Sequence, residues 1–288
     1  MDLSMYLERI CSNFENVDLS NVELVTEGMQ FVVVIADGWV FRFARNEWGV
    51  NSLANEAKIL ELLRSRVELQ IPRYEYLESD FCAYRFLVGE ALTFQVWQRL
   101  EPEVQARTMR QLGLFLQALH GTPLDGHDLA LSGAARSRED WLRFYAEIET
   151  ELFPKMLRFQ RDWVKALFVP ILENRLSFEH TPTLVDGDIS VYHLLFDPQR
   201  LELTAKIDFG IAGIGDPAVD LACILINYGE QGTKHVLEVY PQSQDFLERA
   251  RFWAGTLELQ WVYYGLKRNP EDLLLAHLAT ARDLRLPV

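Results

Sequence analysis

The chain is short of cysteine, of positive charge and of long apolar runs, and each shortage excludes something. Its three cysteines, Cys11, Cys82 and Cys223, are odd in number, far apart and without CxxC spacing. The six histidines form no zinc pattern with them. A disulfide scaffold and a structural zinc site are therefore excluded, and the thiols read as small buried apolar groups in a reducing compartment. Against 42 acidic residues stand only 28 basic ones, a net charge of −14, which argues against counterion-driven binding of DNA or RNA. The longest apolar stretches, 31–36 and 221–226, fall far below the ~18 residues that span a bilayer. Residues 1–14 read as an amphipathic helix carrying Asp2, Glu8 and Arg9 rather than as a signal segment. Sixteen glycines and 11 prolines, scattered without period, exclude collagen-like and low-complexity architecture. The expectation is a soluble, cytoplasmic monomer with no nucleic-acid or membrane partner.

Apolar content is plentiful at 49% of 288 residues, enough for a large core without covalent staples. Up to residue 88 the pattern is mainly that of strands. The stretches 22–26, 31–36 and 39–44 are β-branched and aromatic, the last two joined by Asp37-Gly38, a pair suited to a type I′ turn. Leu53, Ala57, Leu60 and Leu63 keep helical spacing and predict a helix over 50–66, stopped by Pro72, with strands over 73–77 and 81–88. From Gly89 onward helical periods dominate, over 102–120, 137–149, 157–178, 217–228, 243–265 and 271–284. A β-rich block at 183–209, with strands near 194–196 and 203–207, interrupts them. The class implied is α+β. A small antiparallel sheet with one main helix occupies residues 1–88, and a large, mostly helical part occupies 89–288.

The chemistry concentrates in 184–197, where Asp186-Gly187-Asp188 precedes His193, and in Ile207-Asp208-Phe209-Gly210. Asp188 stands five residues before His193 and twenty before Asp208. That spacing fits a loop between strands that carries a catalytic carboxylate, followed by a metal-binding carboxylate on the next hairpin. Phosphoryl transfer asks for little else: a carboxylate to orient and deprotonate the attacking hydroxyl, and ligands that fix a divalent ion on the phosphates.

With these motifs the chain resembles the aminoglycoside phosphotransferase family, small-molecule kinases that include the aminoglycoside and macrolide phosphotransferases. The likeness runs from about residue 27 to 284 and is sharpest over 184–226. Gly213-Ile214-Gly215-Asp216-Pro217 with Asp220-Leu221-Ala222 is similar to the family's run after the metal ligand, and 111–120, ending Leu119-His120, is similar to its preceding helix. The resemblance implies a two-lobed, protein-kinase-like fold and transfer of the γ-phosphate of ATP or GTP to a hydroxyl of a small acceptor, with Mg²⁺ or Mn²⁺. It implies Asp188 as base, His193 and Asp208 as metal ligands, and Arg42, Glu56, Gly28, Arg85, Leu87 and Ile207 around the nucleotide. Manganese enters because imidazole suits the later divalent metals better than Mg²⁺.

Two positions depart from the family pattern. Asp186 stands where a loop-bracing histidine is usual, which brings a second carboxylate near Asp188 and should raise a pKa or attract an extra cation. Arg42 stands where a phosphate-binding lysine is usual, keeping the charge with a longer, rigid fork. These are the changes a nucleotide-binding module without catalysis would show, so that reading competes with the kinase. A metabolite kinase of choline or homoserine type is a further alternative. For the acceptor, Glu147 and Glu151 in an acidic helix and Glu230 further on are the candidate carboxylates. The aromatics Trp141, Phe144, Tyr145, Trp253, Trp261, Tyr263 and Tyr264 are candidates either for an apolar acceptor site or for core.

Overall fold

The computed structural model describes residues 3–268 apart from Glu27 and Met29. The expected helix over 271–284 and two residues of the Glu27-Gly28-Met29-Gln30 segment lie outside the described residues. In chain order, helix α1 (Leu3–Asn13) is followed by strands β1 (Glu23–Val25), β2 (Phe31–Ala36) and β3 (Trp39–Ala44), helix α2 (Glu47–Leu63), and strands β4 (Tyr74–Leu77) and β5 (Phe81–Arg85). These strands form one antiparallel sheet in the order β1-β2-β3-β5-β4. Asp37 and Gly38 both take positive φ, 50° and 71°, so the β2–β3 turn is of the primed kind expected.

Alternation along these strands gives the sheet two different faces. Val32, Val34, Phe41, Phe43, Phe81 and Ala83 point one way and pack with Ile10 of α1. Phe31 and Cys82 point the other way and pack with Leu53 of α2. Arg42, between Phe41 and Phe43, therefore points toward α2. Asn46 caps that helix by accepting the Gly49 N–H at 3.0 Å. Ile59, Leu60 and Leu63 at its far end join the core of the helical part, so α2 belongs to both cores.

After β6 (Glu90–Ala91) come α3 (Phe94–Arg99), α4 (Pro102–His120), α5 (Arg138–Glu151) and α6 (Arg158–Leu172). Then follow β7 (Thr183–Val185), β8 (Leu194–Asp197), β9 (Glu202–Lys206), β10 (Gly213–Gly215), α7 (Ala218–Val239) and α8 (Leu247–Arg268). The α7 helix packs between α4 and α8. No helix among the described residues is long and apolar enough to cross a membrane.

Helix α2 runs three residues earlier than expected, and the strand expected over 81–88 ends at Arg85. Three further boundaries differ for local reasons. The helix expected over 157–178 ends at Leu172, because Asn174 turns left-handed at φ 55° and the Arg175 and Leu176 N–H groups fold back onto the Pro170 carbonyl. The helix expected to stop at Tyr228 breaks there, at Gly229 with φ 68°, and then resumes to Val239. The segment expected as one helix from 243 begins as a 3₁₀ turn, Pro241–Phe246, ahead of α8. The short α3 had no counterpart in the sequence reading. Of the candidate aromatics, Trp141, Phe144, Tyr145, Trp253 and Tyr263 are buried, and Trp141 meets Trp253 edge to face at 4.6 Å. These five are core rather than an open apolar site. The side chains of Trp261 and Tyr264 lie outside the described residues.

Candidate active site

The β8–β9 hairpin assembles the centre of the site. Leu194 faces Lys206 in its register, and one step beyond, the Ile207 N–H reaches the His193 carbonyl at 2.9 Å. The hairpin's open end therefore carries His193 on one strand and Asp208 on the other. Asp188 enters from the loop after β7, where Gly187 takes φ 77°, a conformation that costs glycine little. Asp208 itself sits in the left-handed region at φ 63° and accepts the Gly210 N–H at 3.1 Å. His193 Nδ1 lies 3.3 Å from the Asp188 carbonyl and 3.5 Å from its carboxylate, and Nε2 lies 3.7 Å from Asp208 Oδ2. The three residues singled out by spacing thus converge at one point.

From the sheet side comes a second convergence. Glu56 on α2 is fully buried, which removes the reading of an ordinary solvated helix charge. Both its oxygens lie 2.9 Å from Arg42 Nη1, and Oε1 also accepts the Phe209 N–H at 3.1 Å. Arg42 further donates to Tyr74 Oη at 3.1 Å, lies over the Phe31 ring at 4.1 Å, and directs Nη2 to Asp208 Oδ1 at 3.5 Å. Strand β3, helix α2 and the Asp208 turn are therefore tied through one carboxylate. Two further α2 side chains hold the same turn: Ser52 Oγ donates to the Gly210 carbonyl, and Asn55 Nδ2 to that of Ala212 at 2.9 Å.

Asp186 departs from the family pattern, and the structure supplies its partner. It is buried and stands 2.8 Å from the ammonium of Lys206, whose side chain has no exposed surface. The extra cation expected near the paired carboxylates is thus part of the chain. Bracing of the loop falls instead to Asp220, at the start of α7, which accepts the N–H groups of Asp186 at 3.0 Å and Gly187 at 2.6 Å. Asp220 is in turn held by His120 Nε2 at 2.9 Å. Sequence reasoning assigned no role to Lys206 or Asp220. Asp220 had a signal, as a lone charge in an otherwise apolar helix start.

The charges are graded across the site. Burial pushes the Asp188 carboxyl above its ordinary value, opposed by His193 and Lys206 and helped by Asp208 and Asp220. Burial acts upward on Asp208 too, but Arg42, His193 and Lys206 outweigh it and hold that carboxyl below the usual range. Burial also pushes Asp186 up to about 7, with Lys206 opposing and Asp220 adding to the shift. A group raised at Asp188 and one lowered at Asp208 suit a proton acceptor beside a permanently charged ligand.

Among the described residues no cluster of three or more His, Cys, Asp or Glu side chains could hold a metal alone. Asp208 and His193 still fit a divalent ion. A neutral His193 whose Nδ1–H faces the Asp188 carbonyl turns its Nε2 lone pair toward the Asp208 carboxylate, and two such groups side by side call for a cation. Mg²⁺ commonly takes one or two protein ligands and completes its shell with phosphate oxygens and water.

The remaining candidates are more dispersed. Gly28 is exposed in the loop after β1. Arg85 ends β5 with its guanidinium over Trp39 at 3.6 Å and Glu75 at 3.7 Å, and Leu87 follows in the connection to β6. Ile207 is half-buried beside His193. The three acceptor carboxylates do not converge, and α8 partners each of them. Glu230 pairs with Arg251 at 3.0 Å, Glu147 accepts from Tyr263 Oη at 2.5 Å, and Glu151 lies 3.5 Å from Lys267.

A profile of the phosphotransferase enzyme family matches residues 18–253 of the chain. The viomycin phosphotransferase of Streptomyces vinaceus is 27% identical over 275 residues, 90% of this chain and 92% of that protein. Among solved structures, the GDP complex of wild-type aminoglycoside 2'-phosphotransferase-IIIa superposes with a TM-score of 0.86 at 24% identity, covering 98% of both chains. A macrolide 2'-phosphotransferase of type I does so with a TM-score of 0.74 at 20% identity, covering 97% of this chain and 96% of that one.

Proposed function

The chain belongs to the phosphotransferase enzyme family, and from that premise we propose that it moves the γ-phosphoryl group of ATP or GTP to a hydroxyl of a small, antibiotic-like acceptor of aminoglycoside or macrolide type. The observation that carries the reading is the meeting of Asp188, His193 and Asp208 with the Arg42–Glu56 pair. In this proposal Asp188 orients the acceptor hydroxyl and takes its proton as the oxygen attacks the γ-phosphorus. The bond to the β,γ-bridging oxygen breaks and the nucleoside diphosphate leaves. Asp208 and His193 would hold Mg²⁺ or Mn²⁺, which when bound neutralises charge on the β- and γ-oxygens. Arg42, held by Glu56, presents its remaining donors at the Asp208 edge of the cleft for phosphate. Residues 1–88 supply the nucleotide side, with Gly28 and the Arg85–Leu87 connection, and 89–288 the base and the acceptor side.

For the acceptor, a groove of about 430 Å³ opens beside the catalytic loop, lined in part by Phe94, Gln95, Val191, Tyr192, Ile226 and Asn227. Tyr192 is four residues from Asp188, so their Cα atoms lie within about 14 Å of each other. No charged side chain among the described residues lines the groove, while Glu147, Glu151 and Glu230 are engaged by α8. This uncharged lining, polar at Thr93, Gln95 and Asn227 and apolar at Phe94, Val191 and Ile226, supports an uncharged, hydroxylated acceptor surface over a polycation. Against the reading without catalysis stands the pairing of both unusual residues, Arg42 with Glu56 and Asp186 with Lys206. The test is release of nucleoside diphosphate from ATP and from GTP, with Mg²⁺ or Mn²⁺, across kanamycin, gentamicin and a set of macrolides. The proposal expects acceptor-dependent turnover, faster with a macrolide than with kanamycin. Absence of turnover with every acceptor, nucleotide and metal would overturn it.

A further inference from the structure

Among the described residues, Lys206 is the one ammonium sealed inside the site. Its side chain has no exposed surface, and its Nζ lies 2.8 Å from Asp186 Oδ2, 2.8 Å from the Ile207 carbonyl and 2.8 Å from the Asp208 carbonyl. The two carbonyls accept hydrogen bonds from it, and the Asp186 carboxylate stands beside it as its ion-pair partner. The acceptors belong to two segments. Asp186 begins the loop that carries the base, and its other carboxylate oxygen takes the Asp188 N–H at 3.0 Å. Ile207 and Asp208 begin the turn that carries the metal ligand. One side chain therefore links the backbone on either side of the reacting centre, with no exposed surface to offer a nucleotide.

We propose that Lys206, paired with Asp186, is a positioning residue: a buried strut that fixes the base-carrying loop against the Asp208 turn. This inference rests on the phosphotransferase reading above. Stability is a poor explanation for the pair, since buried ion pairs can often be exchanged for apolar side chains at little or no loss. An apolar pair would fill the same space here but leave two carbonyls and the Asp188 amide without their partners, and so free the two segments to shift. Small displacements at a reacting centre are costly to rate even where the fold survives. The pair also accounts for the unusual Asp186, since Asp186 without Lys206 would be a buried orphan and Lys206 without Asp186 likewise.

The test compares Lys206→Met with the double variant Asp186→Asn/Lys206→Met. The double variant removes both buried charges while the introduced carboxamide oxygen can still accept the Asp188 N–H. Three quantities are read: the thermal midpoint, kcat and KM for Mg²⁺-dependent hydrolysis of ATP and GTP, and hydrogen exchange of the Asp188 and Gly210 amides. The single variant should melt earlier. The double variant should recover most of the midpoint, yet keep kcat at least about tenfold below the parent with nucleotide KM changed by no more than about threefold. Its Asp188 and Gly210 amides should exchange at least about tenfold faster than in the parent. A double variant that regains kcat together with its midpoint, or whose two amides stay as protected as in the parent, would overturn the strut. If the parent turns over neither nucleotide with any acceptor or metal, the phosphotransferase reading fails, and the exchange rates still decide the strut by themselves.

Discussion

Two buried ion pairs stand on either side of the Asp208 turn, one in the sheet part and one in the helical part, and they end differently. Arg42 uses Nη1 on Glu56 and Tyr74 while Nη2 reaches Asp208, whose side chain is 40% exposed. Lys206 donates to two carbonyls and pairs with Asp186, and neither side chain of that pair has exposed surface. The first cation, though buried, reaches a partly exposed carboxylate, and the second faces only protein. Whether a buried charge can meet a ligand or serves only to hold the fold depends on where its unused donors point. On that difference we propose Arg42 for the nucleotide and Lys206 for the alignment of the loops around it.

The largest effect expected on this picture lies between the two pairs. Asp208→Ala removes the carboxylate that both sides surround, and metal-dependent nucleotide turnover should fall to background in a coupled assay of diphosphate release. Breaking the sheet-side pair comes next. Arg42→Ala leaves Glu56 buried without its cation, a loss of about 3–5 kcal/mol readable by urea unfolding, together with weaker nucleotide binding. Arg42→Lys keeps the charge and should hold turnover within about tenfold of the parent, losing mainly the fork-like grip on Glu56. Equal unfolding midpoints for parent and Arg42→Ala would place Arg42 outside the paired geometry.

A smaller change is expected from His193→Asn. Replacing a nitrogen ligand by an oxygen one should move metal preference toward Mg²⁺, seen as a changed ratio of turnover with Mg²⁺ and Mn²⁺. An unchanged ratio would put His193 outside the ion's shell. The mildest expectation concerns pH. Asp188 must be ionised to take a proton, and its carboxyl is raised, chiefly by burial, while Asp208 is held low. As pH falls, kcat/KM should therefore decline through an acid limb above the ordinary aspartate range, with Asp208 still charged. A limb at or below that range would contradict the assignment.

Much of this organisation was legible in the sequence because it depends on local patterns. The Asp37-Gly38 turn, the alternation in β2 and β3 and the spacing of Asp188, His193 and Asp208 are each set within a few dozen residues. What the sequence reading missed depends on pairings across the chain. Lys206 reads as one charge in a strand until the fold brings Asp186, twenty residues earlier, against it. Asp220 reads as a helix-start acid until it is seen under the Asp186 and Gly187 amides. Glu147, Glu151 and Glu230 looked available for a cationic acceptor because their partners on α8 lie 21 to 116 residues away. The helix expected over 217–228 continues to Val239, because the chain only breaks step at Gly229.

The central claim is that Asp188 takes the acceptor proton at a site where the nucleotide is held by other residues. Single-turnover transfer of the γ-phosphate from radiolabelled nucleotide to an acceptor, measured in the parent and in Asp188→Asn with nucleotide affinity recorded alongside, tests it most directly. The account predicts that Asp188→Asn binds nucleotide as the parent does and transfers no label. Transfer by Asp188→Asn at the parent's rate would contradict it.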